Sequence, residues 1–233
     1  NVTAVSCGLN HTAAVTNGAV YAVGLNRDGQ CSCAALNAAL MSAPDGQPRT
    51  GAACYLAVAC GYSHTVALRG DGRVFAIGAS PDGRCDTAAW HDVVDIACGV
   101  RHTAAVLSDG HCVATGDNSR GQCAVGDWEN VVMIACGEFH TAGVTADGRV
   151  LVAGNAGGEA CRVEDLRDVI SVACLPEATV CVHADGHMTV RGGDGMLAEA
   201  VTPIRDAVAV DGKEYRLAVL TVDRRVLFLP GTE

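Results

Sequence analysis

The residues with the clearest chemical potential are four cysteine–histidine pairs with the spacing Cys-x-x-x-His. They are Cys7 and His11, Cys60 and His64, Cys98 and His102, and Cys136 and His140. Thiolate and imidazole are ligands that zinc prefers. However, each pair lies in a separate copy of a repeat, so four ligands would not meet at one point. We expect no metal site and interpret each pair as a buried cysteine beside a histidine that hydrogen-bonds to backbone near a turn.

A second cysteine series also recurs with the repeat, and its members have the residue type of a nucleophile. They are Cys31, Cys85, Cys123 and Cys161. A nucleophile needs an environment that differs from its surroundings, whereas these thiols recur at one position of each copy, which favours packing. Paired carboxylates such as Glu159 and Glu164 fit turn chemistry better than acid–base catalysis. We therefore predict no catalytic residues and no cofactor.

The elements that position these residues come from a repeat of 38 residues. Cysteines and the glycines of Asp-Gly turns recur at this spacing: Cys60, Cys98, Cys136 and Cys174, then Gly72, Gly110, Gly148 and Gly186. The first unit is longer, since 53 residues separate Cys7 from Cys60. About 16 extra residues follow Cys31, and we interpret residues at about 33–50 as a surface insertion.

Each unit alternates short apolar runs with turn residues. In one unit the predicted strands are 93–98, 103–107, 112–115 and 122–125. We therefore predict an all-β fold, a β-propeller of four-stranded blades with six repeats visible, in one domain over residues 1–233. Each sheet would cover its neighbour, and closure of the ring would protect the terminal faces. A seven-bladed ring with one blade truncated is the alternative.

Composition limits the partners and the location. The net charge of −10 disfavours nucleic acid as a partner. No apolar run approaches the ~20 residues that a membrane helix needs, so no membrane partner is expected. Thirteen cysteines, mostly periodic, favour free thiols, and with no visible signal peptide we expect a cytoplasmic protein. Cys33 and Cys54 flank the insertion and would form a bridge only under oxidising conditions.

Several phrases recur in one order along most of the chain. They are CGLNHTAAV, CGYSHTVAL, CGVRHTAAV and CGEFHTAGV, each followed by a hairpin such as DGRVFAIG, DGHCVATG or DGRVLVAG. This pattern resembles regulator-of-chromosome-condensation repeats, and the compact unit is similar to bacterial relatives that include propeller-type β-lactamase inhibitor proteins. The resemblance implies a protein-binding surface used for nucleotide exchange on a small GTPase, enzyme inhibition or scaffolding. The last two units depart from the motif, with CLPEAT and DGKEYR, so we transfer no functional residue of the family.

Strand order predicts which turns share a face. In a meander, the first-to-second and third-to-fourth turns lie on one rim, which we call the first face. Its residues differ between units while the framework repeats, as expected where a rigid scaffold presents a recognition surface. The candidate partner-binding residues are Asn10, Tyr62, Arg101, Phe139, Glu177, Tyr215, Arg27, Asp82 and Arg120. Neutral variation at exposed tips is the alternative, and the insertion on the opposite face is a second candidate contact.

These observations predict a non-enzymatic protein-binding propeller that serves as scaffold, regulator or inhibitor. One alternative is a regulator of a small GTPase that resembles guanine-nucleotide exchange factors. Another is an enzyme with a site in the central channel. The enzyme alternative predicts several non-repeating polar residues converging in that channel, and an interaction module does not.

Overall fold

The chain forms six three-stranded antiparallel sheets in a computed structural model that describes residues 1–38, 40, 51–155, 158–193, 195–213 and 216–230. The strands are β1 (Val2–Cys7), β2 (His11–Thr16), β3 (Ala19–Gly24), β4 (Tyr55–Cys60), β5 (His64–Arg69), β6 (Val74–Gly78), β7 (Val93–Cys98), β8 (His102–Leu107), β9 (Cys112–Gly116), β10 (Val131–Cys136), β11 (His140–Thr145), β12 (Val150–Gly154), β13 (Val169–Cys174), β14 (Ala178–His183), β15 (Met188–Gly192), β16 (Ala207–Lys213), β17 (Arg216–Thr221) and β18 (Val226–Pro230). Consecutive triplets form sheets 1 to 6, so the predicted all-β repeat is confirmed.

The hairpin between the second and third strands forms at the predicted Asp-Gly turns. Gly72 and Gly110 have φ angles of 79° and 86°, which glycine adopts at low cost. The carboxylate of Asp109 accepts the amide of His111 at 3.0 Å and so holds the turn. Because this chemistry is local, each unit can specify its own hairpin.

The predicted fourth strand does not form, and each sheet has three strands instead of four. In residues 122–125 three backbone amides bond within their own turn, that of Cys123 to the side-chain oxygen of Asn118 at 2.9 Å. Ala124 donates to Gly121 at 3.0 Å, and Val125 donates to Cys123 at 2.9 Å. These bonds take up the donors that a fourth strand would have offered to the third, so the short apolar run becomes a turn.

The sheets follow one another around a common axis. The first strands of consecutive sheets contact each other from sheet 1 to sheet 6, which places them nearest the axis. Lys213 of β16 reaches backbone carbonyls of both sheet 2 and sheet 3, as a propeller-like arrangement requires. Among the described residues, however, sheets 6 and 1 make no contact of similar extent. The ring is therefore not closed, and the expectation of protected terminal faces is wrong.

The two terminal faces show what this opening leaves exposed. Val58 and Val66 on the inner sheets are 8% and 0% exposed. On the outer face of sheet 1, Val5 and Val23 are 60% and 71% exposed, and Phe228 on sheet 6 is 82% exposed. Inner sheets are buried because neighbours cover both faces, and each terminal sheet has one neighbour.

The described start of the predicted insertion packs against the sheets. Helix α1 (Ala34–Ala38) buries Leu36, whose carbonyl accepts the hydroxyl of Tyr55 at 3.0 Å. Leu40 is also buried in this cluster. Residues 41–50 of the predicted insertion lie outside the described residues. A second short helix, α2 (Met196–Val201), packs against sheets 5 and 6.

Each first strand also carries an irregularity near its start. The register shifts by one residue there, which leaves the second strand residue unpaired. In sheets 2 to 6 this residue is an exposed aliphatic one: Leu56, Val94, Val132, Ile170 and Val208. These residues lie towards the rim opposite the first face, which we call the second face.

Candidate binding surface

The two predicted sets of turns do meet on the first face. The amide of Ala79 donates to the carbonyl of Ser63 at 3.0 Å, and the amide of Asp117 donates to that of Arg101 at 2.9 Å. Each bond ties the turn after the first strand to the loop after the third strand. The meander order therefore placed these loops correctly.

A hydrogen-bonded chain from sheet to sheet supports these turns. The imidazole Nε2 of each motif histidine meets a threonine hydroxyl of the next sheet at 2.8–3.1 Å. The pairs are His11 with Thr65, His64 with Thr103, His102 with Thr141, and His140 with Thr179. The prediction that these histidines bond to backbone is therefore wrong: their partner is a side chain of the neighbouring sheet.

The threonine hydroxyl fixes the direction of this chain. Thr103 donates its single proton to the carbonyl of Arg84 at 2.8 Å, because a carbonyl can only accept. The hydroxyl must then accept from His64, so His64 carries its proton on Nε2. Within the described residues no polar partner reaches Nδ1 of His64, which packs against Gly61. A charged imidazolium would leave a buried N–H without an acceptor.

Burial keeps these histidines neutral. It lowers the pKa of His64 well below its ordinary value, and lowers the pKa of His102 to about 3 and that of His140 to about 4. The positive charge of Lys213 lowers the pKa values of His64 and His102 further. At neutral pH these imidazoles are therefore uncharged, and the one ring proton of His64 is held in the hydrogen bond to Thr103.

Burial holds Cys98 and Cys123, one from each series, as neutral thiols. Cys98 lies 3.5 Å from the carbonyl of Ala59 in the preceding sheet, and burial raises its pKa. In the second series, Cys123 lies 3.3 Å from the carbonyl of Asp117, and burial raises its pKa to about 11. All thirteen cysteines are free, and the described residues hold no cluster of three His, Cys, Asp or Glu side chains suited to a metal.

A depression lies at the axis on the first face, with a cavity volume of about 200 Å³. Four of its lining residues share one repeat position, two residues after the cysteine that ends the first strand: Tyr62, Val100, Glu138 and Pro176. A fifth, Lys213, lies at the end of β16, one residue after Gly212, which pairs in its sheet as those cysteines do. Cys136, Gly137 and Cys174 complete the lining. The framework therefore delivers one non-repeating side chain per sheet to a shared point, and we call this site the axial pocket.

Lys213 holds a particular place in the axial pocket. Its ammonium donates to the carbonyls of Cys60 at 2.8 Å and Cys98 at 2.6 Å, in two other sheets. These bonds use two of its three protons. Sheet 6 carries Gly212 and Lys213 where the other sheets carry the motif cysteine and the residue after it, so the departure from the motif places an ammonium group here.

The candidate residues predicted from sequence fall into three groups. Exposed on the first face are Asn10, Arg27, Tyr62, Arg101, Arg120 and Glu177. Phe139 is half-buried beneath the guanidinium of Arg120, which lies 5.4 Å from the ring centroid. Asp82 is half-buried and bound to Arg84 at 2.5 Å. Tyr215 lies outside the described residues.

Sequence reasoning singled out Tyr62 but missed the other residues that line the axial pocket. Val100, Glu138, Pro176 and Lys213 each precede or replace the turn residue chosen as a candidate. For Val100, Glu138 and Pro176 the available signal was the repeat position that they share with Tyr62. The repeat position did not show where each side chain points, because only the stacking of the sheets shows which turn residue faces the axis.

The fold and this surface together define a propeller-like repeat protein built from three-stranded units. Four stretches match the model of the regulator of chromosome condensation (RCC1) repeat, at residues 2–30, 56–84, 93–122 and 131–157. The chain belongs to the RCC1-like repeat family, which confirms the resemblance seen in the motifs. Among curated proteins, none matches the chain significantly in sequence.

Solved structures share the fold at low identity. Human WBSCR16 is 19% identical with a TM-score of 0.73, and the match covers 99% of this chain and 76% of that one. The ectodomain of the Physcomitrella patens receptor kinase CR4 is 16% identical with a TM-score of 0.71, covering 96% and 60%. Prp20p from Saccharomyces cerevisiae, described with its binding properties to Gsp1p and histones, is 21% identical with a TM-score of 0.59, covering 78% and 56%. The chain thus spans less than two thirds of the last two.

No helix in the described part of the chain has the length and apolar character needed to cross a bilayer.

Proposed function

We propose that this chain is a non-enzymatic protein-binding propeller that acts as scaffold, regulator or inhibitor through its first face. The observation that carries the proposal is the contrast between a repeating framework and a non-repeating rim. Sheets 1 to 4 share the buried histidine position and sheets 2 to 5 share the buried threonine position. Tyr62, Arg101 and Phe139 differ from their counterparts in the other sheets. Tyrosine, arginine and phenylalanine are enriched in protein interfaces.

Several exposed charges on the first face are available to a protein ligand. Within the described residues, Arg27, Arg101 and Glu177 are exposed and take part in no ion pair. A charge without an internal partner is available to a protein ligand, and it contributes to orientation and association rate.

Structural neighbours support a protein partner in general terms. Prp20p is described with Gsp1p and histones, and yeast RCC1 (Prp20) is also known bound to Kap60. A regulator of a small GTPase remains the alternative within the same class. We transfer neither partner to this chain, since the identities concern the fold.

A central-channel enzyme is the second candidate, and one observation favours it. Three non-repeating polar residues, Tyr62, Glu138 and Lys213, do converge at the axial pocket. Acid–base or nucleophilic catalysis needs a base within hydrogen-bond reach of its partner group. The hydrogen bonds of Lys213 instead go to backbone carbonyls of the framework. We therefore prefer a binding role for this pocket.

The test is affinity capture with two matched triple variants of the full chain. The first-face variant carries Tyr62→Ala, Arg101→Ala and Phe139→Ala. The second-face variant carries Leu56→Ser and Val94→Ser together with Val132→Ser, which removes an exposed apolar set of similar size. Far-ultraviolet circular dichroism confirms that both fold.

We expect the first-face variant to lose at least ~10-fold of the partner recovered by the unchanged chain, because hot-spot residues contribute ~2 kcal/mol or more each. The second-face variant should retain recovery. Loss of recovery only in the second-face variant would assign binding to the opposite rim and refute the proposal.

A further inference from the structure

We propose that the axial pocket binds a small zwitterion, a molecule of amino-acid type with a carboxylate, an ammonium group and a short apolar side chain. This site does not depend on the protein partner proposed above. It rests on the lining of one cavity and on the charges that this lining leaves unpaired.

The positive end of the pocket is Lys213. Two of its N–H groups bond to the carbonyls of Cys60 and Cys98, which fixes the ammonium at the axis. Within the described residues no carboxylate lies within ion-pair distance of it. Its third proton is therefore available, and a carboxylate is the strongest acceptor that a ligand can offer it.

The negative end is Glu138, which lines the same cavity and is half-buried. No ion pair or side-chain hydrogen bond involves it among the described residues. Glu138 and Lys213 thus share one cavity without contacting each other, so space separates them. A purely anionic ligand would meet the repulsion of Glu138, and a purely cationic ligand would meet that of Lys213. A ligand with both charges satisfies both ends.

The remaining walls and the size set the body of the ligand. Val100, Pro176 and the ring of Tyr62 provide apolar surface between the charged ends. A volume of about 200 Å³ corresponds to roughly seven waters at ~30 Å³ each, which suits a molecule of about the size of leucine. Small-molecule sites generally combine such apolar walls with a few polar groups that fix orientation.

The test uses isothermal titration of the full chain with three probes of matched shape. The first is leucine. The second is 4-methylpentanoate, which lacks the ammonium, and the third is 3-methylbutylamine, which lacks the carboxylate. We expect leucine to bind with a Kd in the range of ~1 mM or tighter, and the two single-charge probes to bind at least ~10-fold more weakly.

Two variants then assign the charges. Lys213→Met and Glu138→Gln should each weaken leucine binding by at least ~10-fold. Asp28→Asn is the matched control, since this exposed carboxylate of the loop after β3 lies on the same face outside the pocket, and it should leave the affinity unchanged. Thermal melting checks that Lys213→Met still folds, and Glu138→Gln carries the test by itself if it does not.

The alternatives give different results. No leucine binding at ~10 mM would overturn the inference. Equal binding of 4-methylpentanoate, or tighter binding by Glu138→Gln, would show a simple anion site and would also overturn it. Neither result bears on the capture experiment, because the variants used there to test the protein partner are read by partner recovery and not by titration.

Discussion

The His–Thr hydrogen bonds that join neighbouring sheets predict that Thr103→Val is strongly destabilising, while Thr12→Val is nearly neutral. Both positions are the same residue of the repeat, directly after the motif histidine. Thr103 accepts from His64 at 3.0 Å and donates to the carbonyl of Arg84 at 2.8 Å. Thr12 lies on sheet 1, which has no preceding sheet, and its hydroxyl contacts only the thiol of Cys7 at 3.7 Å among the described residues.

The size of the loss in stability follows from the buried polar groups that each substitution leaves without a hydrogen-bond partner. Valine at position 103 leaves the N–H of His64 and the carbonyl of Arg84 buried without a partner. A buried polar group without a hydrogen bond costs about 1–3 kcal/mol, so we expect a loss of about 2–6 kcal/mol in the free energy of unfolding. Thr12→Val leaves no buried polar group without a partner and should change this free energy by less than ~0.5 kcal/mol. Both substitutions keep a β-branched side chain, so strand propensity is matched.

The assay is urea unfolding of both variants at pH 7, with the slope of each transition checked against that of the unchanged chain. Nitrogen-15 NMR of the imidazoles supplies an independent measurement, because the hydrogen bond from His64 to Thr103 requires the proton of His64 on Nε2. Equal losses in the two variants, or a proton on Nδ1, would refute the reasoning.

Three further predictions follow from the same contacts. The pKa of His102 is about 3 in the fold against an ordinary value of 6.5. Because the unfolded chain takes up protons that the folded chain cannot, stability should be full above pH 6.5 and should fall by up to about 1.4 kcal/mol per pH unit as the pH drops towards 3. A flat stability profile between pH 7 and 4 would contradict this. Gly61→Ala should lower the melting temperature strongly, because a Cβ there would lie 2.0 Å from the ring of His64, whereas Gly126→Ala meets nothing within 4 Å and should not; calorimetry compares the two. Arg120→Ala should cost ~0.5–1 kcal/mol or less through its lost ring contact, measured by the same urea transitions as above.

Much of the fold was readable from the sequence because its instructions are local. An Asp-Gly turn closes its own hairpin, and apolar runs of five or six residues form the strands on either side of it. The 38-residue period then fixed the number of sheets and the rim on which Tyr62 and Arg101 lie. The predicted fourth strand does not form for a reason that is also local: the amide of Val125 donates to a carbonyl two residues away and not to a neighbouring strand.

The sequence by itself thus determined the repeating unit, the first three of its four predicted strands and the face that its variable turns share. Only the tertiary structure decided what happens between units. The partner of His64 is a threonine 39 residues onward, the carbonyls bound by Lys213 lie 153 and 115 residues away, and the opening between sheets 6 and 1 has no local signature. Contacts of this kind depend on how the sheets stack around an axis, because the two partners lie in different repeat units.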